Sequence, residues 1–218
     1  NSEFPDSSWD TKIARDIFWE QSMHGILQEN AGVNLKDFKN EDEFFTYLSK
    51  SAIFTAKRGG QDYYFYPIPA IDYLGYKKIE AYNLSGETVE ITPKQEDFEN
   101  HRSYQYQDLT TRGTVEFRSV CAQPFDRTFI SAAFHLGILA NLENVQKYLQ
   151  EADFFKKEGR NYKQLRQKFS KKKISRSAAT HVRNFANDLI QLAIVGLVAR
   201  NNGEEFYLKN LIVKEKEE

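Results

Sequence analysis

The middle third of the chain contains two extended runs separated by a pair of glycines, and this pattern restricts the fold more than any other feature of the sequence. AIFTAK, beginning at Ala52, and DYYFYP, beginning at Asp62, are rich in aromatic and β-branched residues and flank the segment RGGQ. A Gly-Gly pair adopts the positive backbone φ angles that a tight turn between antiparallel strands requires. The pattern therefore predicts a β-hairpin.

Further extended segments predict that this hairpin belongs to an antiparallel sheet. KIEAYNL and TVEIT flank Ser85, Gly86 and Glu87, which predicts a second hairpin. TVEFRSV, beginning at Thr114, follows as another strand. We expect this strand to extend the same sheet.

Helical patterns lie before the sheet. Loosely spaced apolar residues over residues 11–28 predict one helix, or two short ones interrupted by Gly25. Asn40 followed by three acidic residues is typical of a helix start, and the helix should extend to about Lys50.

The last third of the chain is helical by pattern. A final helix is predicted from a Ser177 cap to the Asn-Gly pair at residues 202–203. A second, buried helix after Pro124 has its apolar residues at helical spacing: Phe129, Ala132, Ala133, Leu136, Leu139 and Ala140. We therefore expect an α+β fold, an antiparallel sheet with helices packed on one face, with residues 50–123 sheet-rich and residues 124–218 helical.

Composition narrows the class of protein. The chain has 218 residues, 40% of them hydrophobic, which suffices for one substantial domain or two small ones. Its single cysteine, Cys121, excludes an intrachain disulfide, and the amino end lacks the order of a signal peptide. The best apolar run, residues 190–199, is shorter than the roughly 20 residues that a membrane span needs. We expect a cytoplasmic protein with no membrane partner.

The strand beginning at Thr114 places an acid and a guanidinium two residues apart. Because side chains alternate along a strand, Val115 and Phe117 face one way while Glu116 and Arg118 face the other. Two steps along a strand span about 7 Å, a spacing that suits a metal-bound polyphosphate. The commoner explanation of such a pair is a solvated surface interaction, which contributes under about 1 kcal/mol.

TVEFRSVCAQPFD, residues 114–126, resembles the E-x-R-x-x-D-x-x-P strand of the glutamate-cysteine ligase family, the ATP-dependent carboxylate-amine ligases that make γ-glutamylcysteine. ENHRSYQYQDLTTRGTVEFR extends the similarity upstream, and the distance from His101 to Glu116 is that of the plant-like members. WDTKIARDIFWEQ and residues 40–66 and 184–211 are similar to further family segments. The resemblance covers most of the chain, and its specific part is the E-x-R motif.

The resemblance implies a chemistry for this pair. Glu116 matches the ligand of an active-site Mg²⁺, and Arg118 matches the residue that contacts ATP phosphate or the acyl phosphate formed from it. The γ-carboxylate of glutamate would be phosphorylated, and an amine, cysteine in the parent family, would displace the phosphate. Mg²⁺ binds carboxylate oxygens together with substrate phosphates, and Arg stabilises charge on a transferring phosphoryl group.

The resemblance also implies a larger assembly. It points to a glutamine-synthetase-like ligase architecture, of which residues 1–218 would be the carboxyl-terminal part of the catalytic domain. The remaining metal-binding carboxylates of the family lie in an amino-terminal half, which is therefore an expected partner.

Other residues are weaker candidates for the same site. Arg15, in ARDIFW, resembles the family's substrate-facing Arg, although an Arg in an aromatic-rich helix more often covers apolar surface with its stem. Thr114 and Arg112 are further candidates for substrate or ATP binding. His101 is a candidate phosphate or backbone partner, with a structural histidine as the commoner alternative. Cys121 is better explained as a small buried residue than as a nucleophile.

Departures from the family leave other functions open. Thr110 stands where many members have Arg, Cys121 stands where many have Asp, and neither G-x-x-x-x-G-K-[ST] nor G-x-G-x-x-G occurs. A non-catalytic nucleotide-binding or regulatory domain derived from such a ligase is one alternative. A nucleic-acid module is another, since residues 156–176 hold ten basic residues and one acid. The net charge of −1 instead favours a solvated helix face or linker there.

Overall fold

The structure, a computed structural model, describes residues 9–22, 26–27, 31–34, 36–100, 104–109, 114–120, 122–209 and 211. The chain divides into two compact units, Asn1–Ser119 and Val120–Glu218. The predicted α+β class is confirmed, because a four-stranded antiparallel sheet occurs together with several helices.

The first unit begins with two short helices and a short strand: α1 (Ala14–Gln21), β1 (Ala31–Gly32) and α2 (Glu41–Leu48). Helix α1 is shorter than the predicted span, because Ser22 after it has extended backbone angles. The predicted cap of α2 is confirmed, since the side chain of Asn40 accepts a hydrogen bond from the Glu43 N–H at 2.9 Å.

Both predicted hairpins are present. Strands β2 (Ala52–Arg58) and β3 (Gln61–Pro69) pair across Gly59 and Gly60, whose φ angles are 58° and 84°. Helix α3 (Ala70–Tyr73) follows. Strands β4 (Ile79–Tyr82) and β5 (Thr88–Ile91) then complete a sheet of order β2-β3-β4-β5.

One face of this sheet carries the core of the first unit. Its buried residues are Ile53, Ala56, Phe65, Ile68, Tyr73, Ile79, Ala81 and Ile91. Among the described residues, α3 and a 3₁₀ helix at Gln95–Asn100, which contributes Phe98, pack on the sheet. The covering layer on this face is therefore made of short helices.

The strand with Glu116 does not join this sheet, contrary to the prediction. Strand β6 (Tyr104–Gln105) pairs in parallel with β1, whereas β7 (Gln107–Leu109) pairs antiparallel with β8 (Val115–Phe117). Glu116 lies opposite Asp108 in this separate two-stranded sheet. Val115 is 59% exposed, so the apolar face of the strand is open to solvent at that position.

The second unit is helical, as predicted. After a 3₁₀ helix at Phe125–Arg127 come α4 (Thr128–Ala140), α5 (Leu142–Glu151), α6 (Asp153–Glu158), α7 (Tyr162–Phe169), α8 (Arg176–Arg200) and α9 (Phe206–Lys209). Helices α4 and α8 pack against each other around Ala133, Ala193 and Leu197.

The buried face of α4 differs from the predicted one. Phe129 and Leu139 are 61% and 52% exposed, whereas Ala133 and Gly137 are buried. A Cβ on Gly137 would lie 2.3 Å from the Ala193 carbonyl oxygen, so the absence of a side chain lets α8 approach. The closest approach of the two helices is therefore at small residues, and larger apolar residues such as Leu136 and Leu197 pack around it.

The prediction for the final helix is correct at its carboxyl end and wrong at its amino end. The helix ends at Arg200, and Asn201, which caps it, adopts the left-handed conformation with φ of 56°. Its cap is Ser175 rather than Ser177, because the Ser175 hydroxyl accepts a hydrogen bond from the Ala178 N–H at 3.2 Å. As a 25-residue helix with a mean hydropathy of 1.2 over its best window, α8 meets the length and composition criterion for a membrane span, with 17% of that window buried. Core helices of soluble proteins meet the same criterion, so the expectation that the chain does not cross a membrane stays a prediction.

Candidate functional site

The side chains of Glu116, in β8, and Arg118, just after it, are hydrogen-bonded to each other. The Arg118 guanidinium donates from NH2 to Glu116 Oε2 at 2.8 Å. The side chains are 47% exposed for Glu116 and 27% exposed for Arg118. The predicted gap of about 7 Å between the two groups is therefore closed, and the pair has the geometry of the surface interaction that the sequence left open.

The backbone of Tyr106 is hydrogen-bonded to Arg118, the residue that follows β8. Its carbonyl oxygen accepts a hydrogen bond from the Arg118 N–H at 2.7 Å, and its own N–H donates to the Gly32 carbonyl at 2.6 Å. Tyr106 is 1% exposed. The backbone of the candidate site is thus attached to a buried residue in the gap between β6 and β7.

The aromatic ring of Tyr106 also contacts α1. It stacks on Trp19 with 5.1 Å between ring centroids and an interplanar angle of 28°. The Arg15 guanidinium carbon lies 5.0 Å from the Tyr106 centroid and 5.2 Å from the Trp19 centroid. Because Arg15 and Trp19 are four residues apart on a helix, their side chains share one face of α1.

The guanidinium of Arg15 is in an unusual environment. Its Nε and NH2 atoms are buried and have no hydrogen-bond partner among the described residues. Burial of a charged donor without an acceptor is costly, and contact with two aromatic rings offsets only part of that cost. The buried head group distinguishes this Arg from one that merely covers apolar surface with its stem.

The structure therefore brings two of the predicted site residues to a common neighbour. Arg15 contacts Tyr106 through the ring, and Arg118 contacts it through the backbone. Thr114 is exposed just before β8. Arg112, His101, Thr110 and Cys121 lie outside the described residues.

The sequence did not single out Tyr106 or Trp19. The spacing of Trp19 from Arg15 was a usable signal, because residues four apart on a helix are neighbours. Tyr106 gave no such signal, since it is 90 residues from Asp16, whose carboxylate accepts a hydrogen bond from the Tyr106 hydroxyl. This contact depends on the folded chain.

Glu116 is suited to share a magnesium ion but not to hold one alone. Its carboxylate is the hard oxygen donor that Mg²⁺ prefers, and Mg²⁺ takes one or two protein carboxylates with waters and substrate phosphates. Among the residues that the structure describes, no group of three or more His, Cys, Asp or Glu side chains is arranged to hold a metal ion. The donor set fits a metal that arrives with a polyphosphate.

A second arginine pair, missed by the sequence analysis, lies beside the large sheet. Arg58 donates to both oxygens of Asp97, at 2.6 and 2.8 Å. Asp97 Oδ2 also accepts from the Tyr73 hydroxyl at 2.9 Å and the Lys94 N–H at 2.8 Å. Burial alone would raise the pKa of the Asp97 carboxyl, but these hydrogen bonds outweigh burial and hold the pKa below its usual value.

The basic run is mostly helical. Within it, Lys156 pairs with Asp153 at 2.8 Å, and Lys168 bonds to the carboxylate of Glu158. Hydrogen bonds from Lys168 and then His181 lower the pKa of the Glu158 carboxyl against the opposing effect of burial. Residues 171–173, all Lys, are exposed between α7 and α8. Part of the run is therefore neutralised within the second unit.

Comparisons with known proteins found no match to this chain. No family model matches the chain, and neither a curated protein nor a solved structure matches it.

Proposed function

We propose that the chain is the carboxyl-terminal part of a glutamate-cysteine-ligase-like enzyme of glutamine-synthetase-like architecture, acting in the cytoplasm. It would use ATP and Mg²⁺ to join the γ-carboxylate of glutamate to an amine, with cysteine as the expected amine. The observation that carries this proposal is the convergence of Arg15 and Arg118 on Tyr106. These two arginines were singled out from segments about a hundred residues apart, so their common neighbour is independent support.

In this proposal the two arginines bind anionic groups of the substrates. Arg118 would stabilise negative charge on the transferring phosphoryl group, and Arg15 offers buried donors to a second anionic group of the substrates. Glu116 would exchange its contact with Arg118 for a share of the Mg²⁺ that accompanies ATP. The metal, when bound, supplies charge neutralisation of the phosphates.

Little covalent chemistry is asked of the protein in such a reaction. Phosphoryl transfer to the glutamate carboxylate gives an acyl phosphate, and the incoming amine expels phosphate from it. Positioning and electrostatic stabilisation account for most of the catalysis in reactions of this kind. Arg15, Glu116 and Arg118 are side chains of the type that these tasks require.

Phosphate release provides the test. The chain, together with the amino-terminal half that the proposal expects, is mixed with ATP, Mg²⁺, glutamate and cysteine, and phosphate and γ-glutamylcysteine are followed. We expect release that needs both amino acids and that falls about 100-fold or more in Glu116→Gln, the scale seen when an electrostatic group of a site is removed. Glu90→Gln is the matched control, because Glu90 is an exposed carboxylate of the sheet that pairs with Lys78.

Two results would contradict the proposal. One is full activity in Glu116→Gln, which removes that carboxylate from the mechanism. The other is a wild-type chain that neither binds Mg-ATP nor releases phosphate.

A non-catalytic nucleotide-binding domain derived from such a ligase is the second candidate. The direct bond between Glu116 and Arg118 favours it, because each group partly neutralises the other. This candidate predicts that calorimetry detects Mg-ATP binding while γ-glutamylcysteine is never formed. Formation of the dipeptide by the chain would exclude it.

A further inference from the structure

The two compact units of the chain carry opposite charges. Asn1–Ser119 contains 13 Lys and Arg residues and 20 Asp and Glu residues, which gives a net charge of −7. Val120–Glu218 contains 17 basic and 11 acidic residues, which gives a net charge of +6. The value of −1 for the whole chain therefore conceals a basic unit, and it does not argue against an anionic partner for that unit.

Three helices of the basic unit meet at Glu158, the last residue of α6. The Glu158 carboxylate bonds to Lys168 near the end of α7, and it lies 3.3 Å from Nδ1 of His181 in the first half of α8. With 8% of the Glu158 side chain exposed, these contacts hold the ends of α6 and α7 close to the beginning of α8. Exposed cations on these elements form what we call the basic surface: Lys156, Lys157, Lys168, Lys171, Lys172, Lys173 and Arg176.

Local acids neutralise only a small part of this charge. Residues 153–187 contain 11 Lys and Arg residues but only two acids, Asp153 and Glu158. These two acids bond to Lys156 and Lys168, respectively. The large excess of exposed positive charge makes the basic surface attractive to a polyanion.

The aromatic side chains of the same segment are packed inside the unit. Phe154 stacks on Phe185 with 4.3 Å between ring centroids, and its centroid lies 5.5 Å from that of Phe169. The structure describes all of residues 143–194, and no large hydrophobic residue among them is exposed. The basic surface therefore presents charge without an exposed aromatic or large apolar side chain.

This combination distinguishes between the classes of polyanionic partner. Protein interfaces are enriched in aromatic residues and depleted in Lys, and stable membrane attachment needs an inserted apolar group besides basic charge. Single-stranded nucleic acids stack their bases on exposed aromatic side chains. The phosphates of a duplex, by contrast, are bound by exposed Lys and Arg alone.

We propose that the basic surface binds the phosphate backbone of a nucleic-acid duplex without reading its sequence. A DNA duplex carries one negative charge per about 1.7 Å of its axis, so several cations of the surface can engage it together. The inference goes beyond the proposed function and does not rest on it, because Arg15, Glu116 and Arg118 all belong to the other unit.

Fluorescence anisotropy of a labelled DNA duplex of about 20 base pairs, titrated with the full chain, tests the inference. We expect log affinity to fall with log salt concentration with a slope of about −4 or steeper, because each neutralised phosphate contributes about −0.9. The triple variant Lys171→Gln, Lys172→Gln, Lys173→Gln should bind about 10-fold or more weakly in low salt, and its slope should be smaller by about 2–3.

A matched variant controls for net charge. Lys77→Gln, Lys78→Gln, Lys94→Gln removes the same three charges from exposed positions of the first unit. Affinity and slope should both stay at the wild-type values. Equal losses in the two triple variants would show that binding follows net charge and not the basic surface, which would overturn the inference.

Parallel titrations use an RNA duplex, a single strand and vesicles of phosphatidylserine and phosphatidylcholine. Binding of either duplex with the expected slope supports the inference, and comparison of the two shows whether DNA or RNA is preferred. Tighter binding to the single strand or to the vesicles than to both duplexes would overturn it, as would a failure to bind either duplex in low salt. Such a failure leaves the ligase proposal standing, because phosphate release is measured separately.

Discussion

Two arginine–carboxylate pairs in the first unit contain the same chemical groups in opposite settings. Arg58 and Asp97 are 39 residues apart, form two hydrogen bonds, and leave 1% of the Asp97 side chain exposed. Arg118 and Glu116 are two residues apart, form one hydrogen bond of 2.8 Å, and leave 47% of the Glu116 side chain exposed. Burial and the number of partners, rather than residue type, distinguish the two pairs.

The difference indicates what each pair is suited to do. Asp97 also accepts from the Tyr73 hydroxyl and the Lys94 N–H, so its oxygens are fully engaged and it holds the 3₁₀ helix against the sheet. Among the described residues, Glu116 has one hydrogen bond, to the half-buried Arg118, and an ion pair this open to solvent contributes little to stability. The first pair therefore contributes to the stability of the unit, whereas the second contributes little and belongs to the proposed binding site.

Removal of the buried carboxylate should have the largest effect. Asp97→Ala leaves the Arg58 guanidinium without its partner and takes an acceptor from Tyr73 and Lys94. We expect the free energy of unfolding of the first unit to fall by about 3–5 kcal/mol, the range for breaking a buried ion pair. Urea denaturation followed by tryptophan fluorescence reports this unit, because Trp9 and Trp19 both lie in it.

A matched control is available in the same sheet. Glu90 pairs with Lys78 on the surface, with 63% and 62% of their side chains exposed. Glu90→Ala should cost under about 1 kcal/mol. Equal losses in the two variants would contradict the distinction drawn from burial.

The second largest effect is expected from low pH, which should remove the stabilising contribution of the buried pair. Because the pKa of Asp97 is lowered in the folded state, its contribution to stability is complete above its unfolded pKa, about 3.9, and is lost as the pH falls through the folded value. We expect the difference in unfolding free energy between wild type and Asp97→Asn to be largest near pH 6 and to shrink below about pH 4.

Urea titrations at several pH values measure this difference. Other carboxylates with lowered pKa, such as Glu43 and Glu158, are present in both proteins and cancel in the comparison. A difference that stays constant from pH 6 to the acid limit of folding would show that Asp97 contributes nothing through its charge.

Local signals in the sequence predicted the helices and strands. Contacts between residues far apart in the chain could not be predicted from it. The hairpin at Gly59 and Gly60 and the cap at Asn40 depend on residues within four positions, and both are confirmed. The predicted cap at Ser177 is wrong because Ser175, two residues earlier, is an equally suitable cap residue, and only the backbone angles of the fold decide between them.

The sequence did not determine which strands pair with each other or which charged residues form ion pairs. The pattern of β8 marks it as a strand but does not specify that it pairs with β7 rather than with β5. The sequence likewise presented Arg58 as a hairpin corner, because Asp97 comes next to it only in the folded sheet. For the candidate site, the sequence indicated Glu116, Arg118 and Arg15, whereas Tyr106 required the structure.

The smallest effect on stability is expected at Glu116. Glu116→Ala removes an exposed carboxylate from a single hydrogen bond, so the unfolding free energy should fall by under about 1 kcal/mol. That loss should shrink further at high salt, because exposed charges are screened within a few ångströms at 1 M ionic strength. Urea denaturation in 50 mM and 1 M NaCl measures both. A loss above about 2 kcal/mol would mean that Glu116 is a structural residue like Asp97, and the contrast between the two pairs would fail.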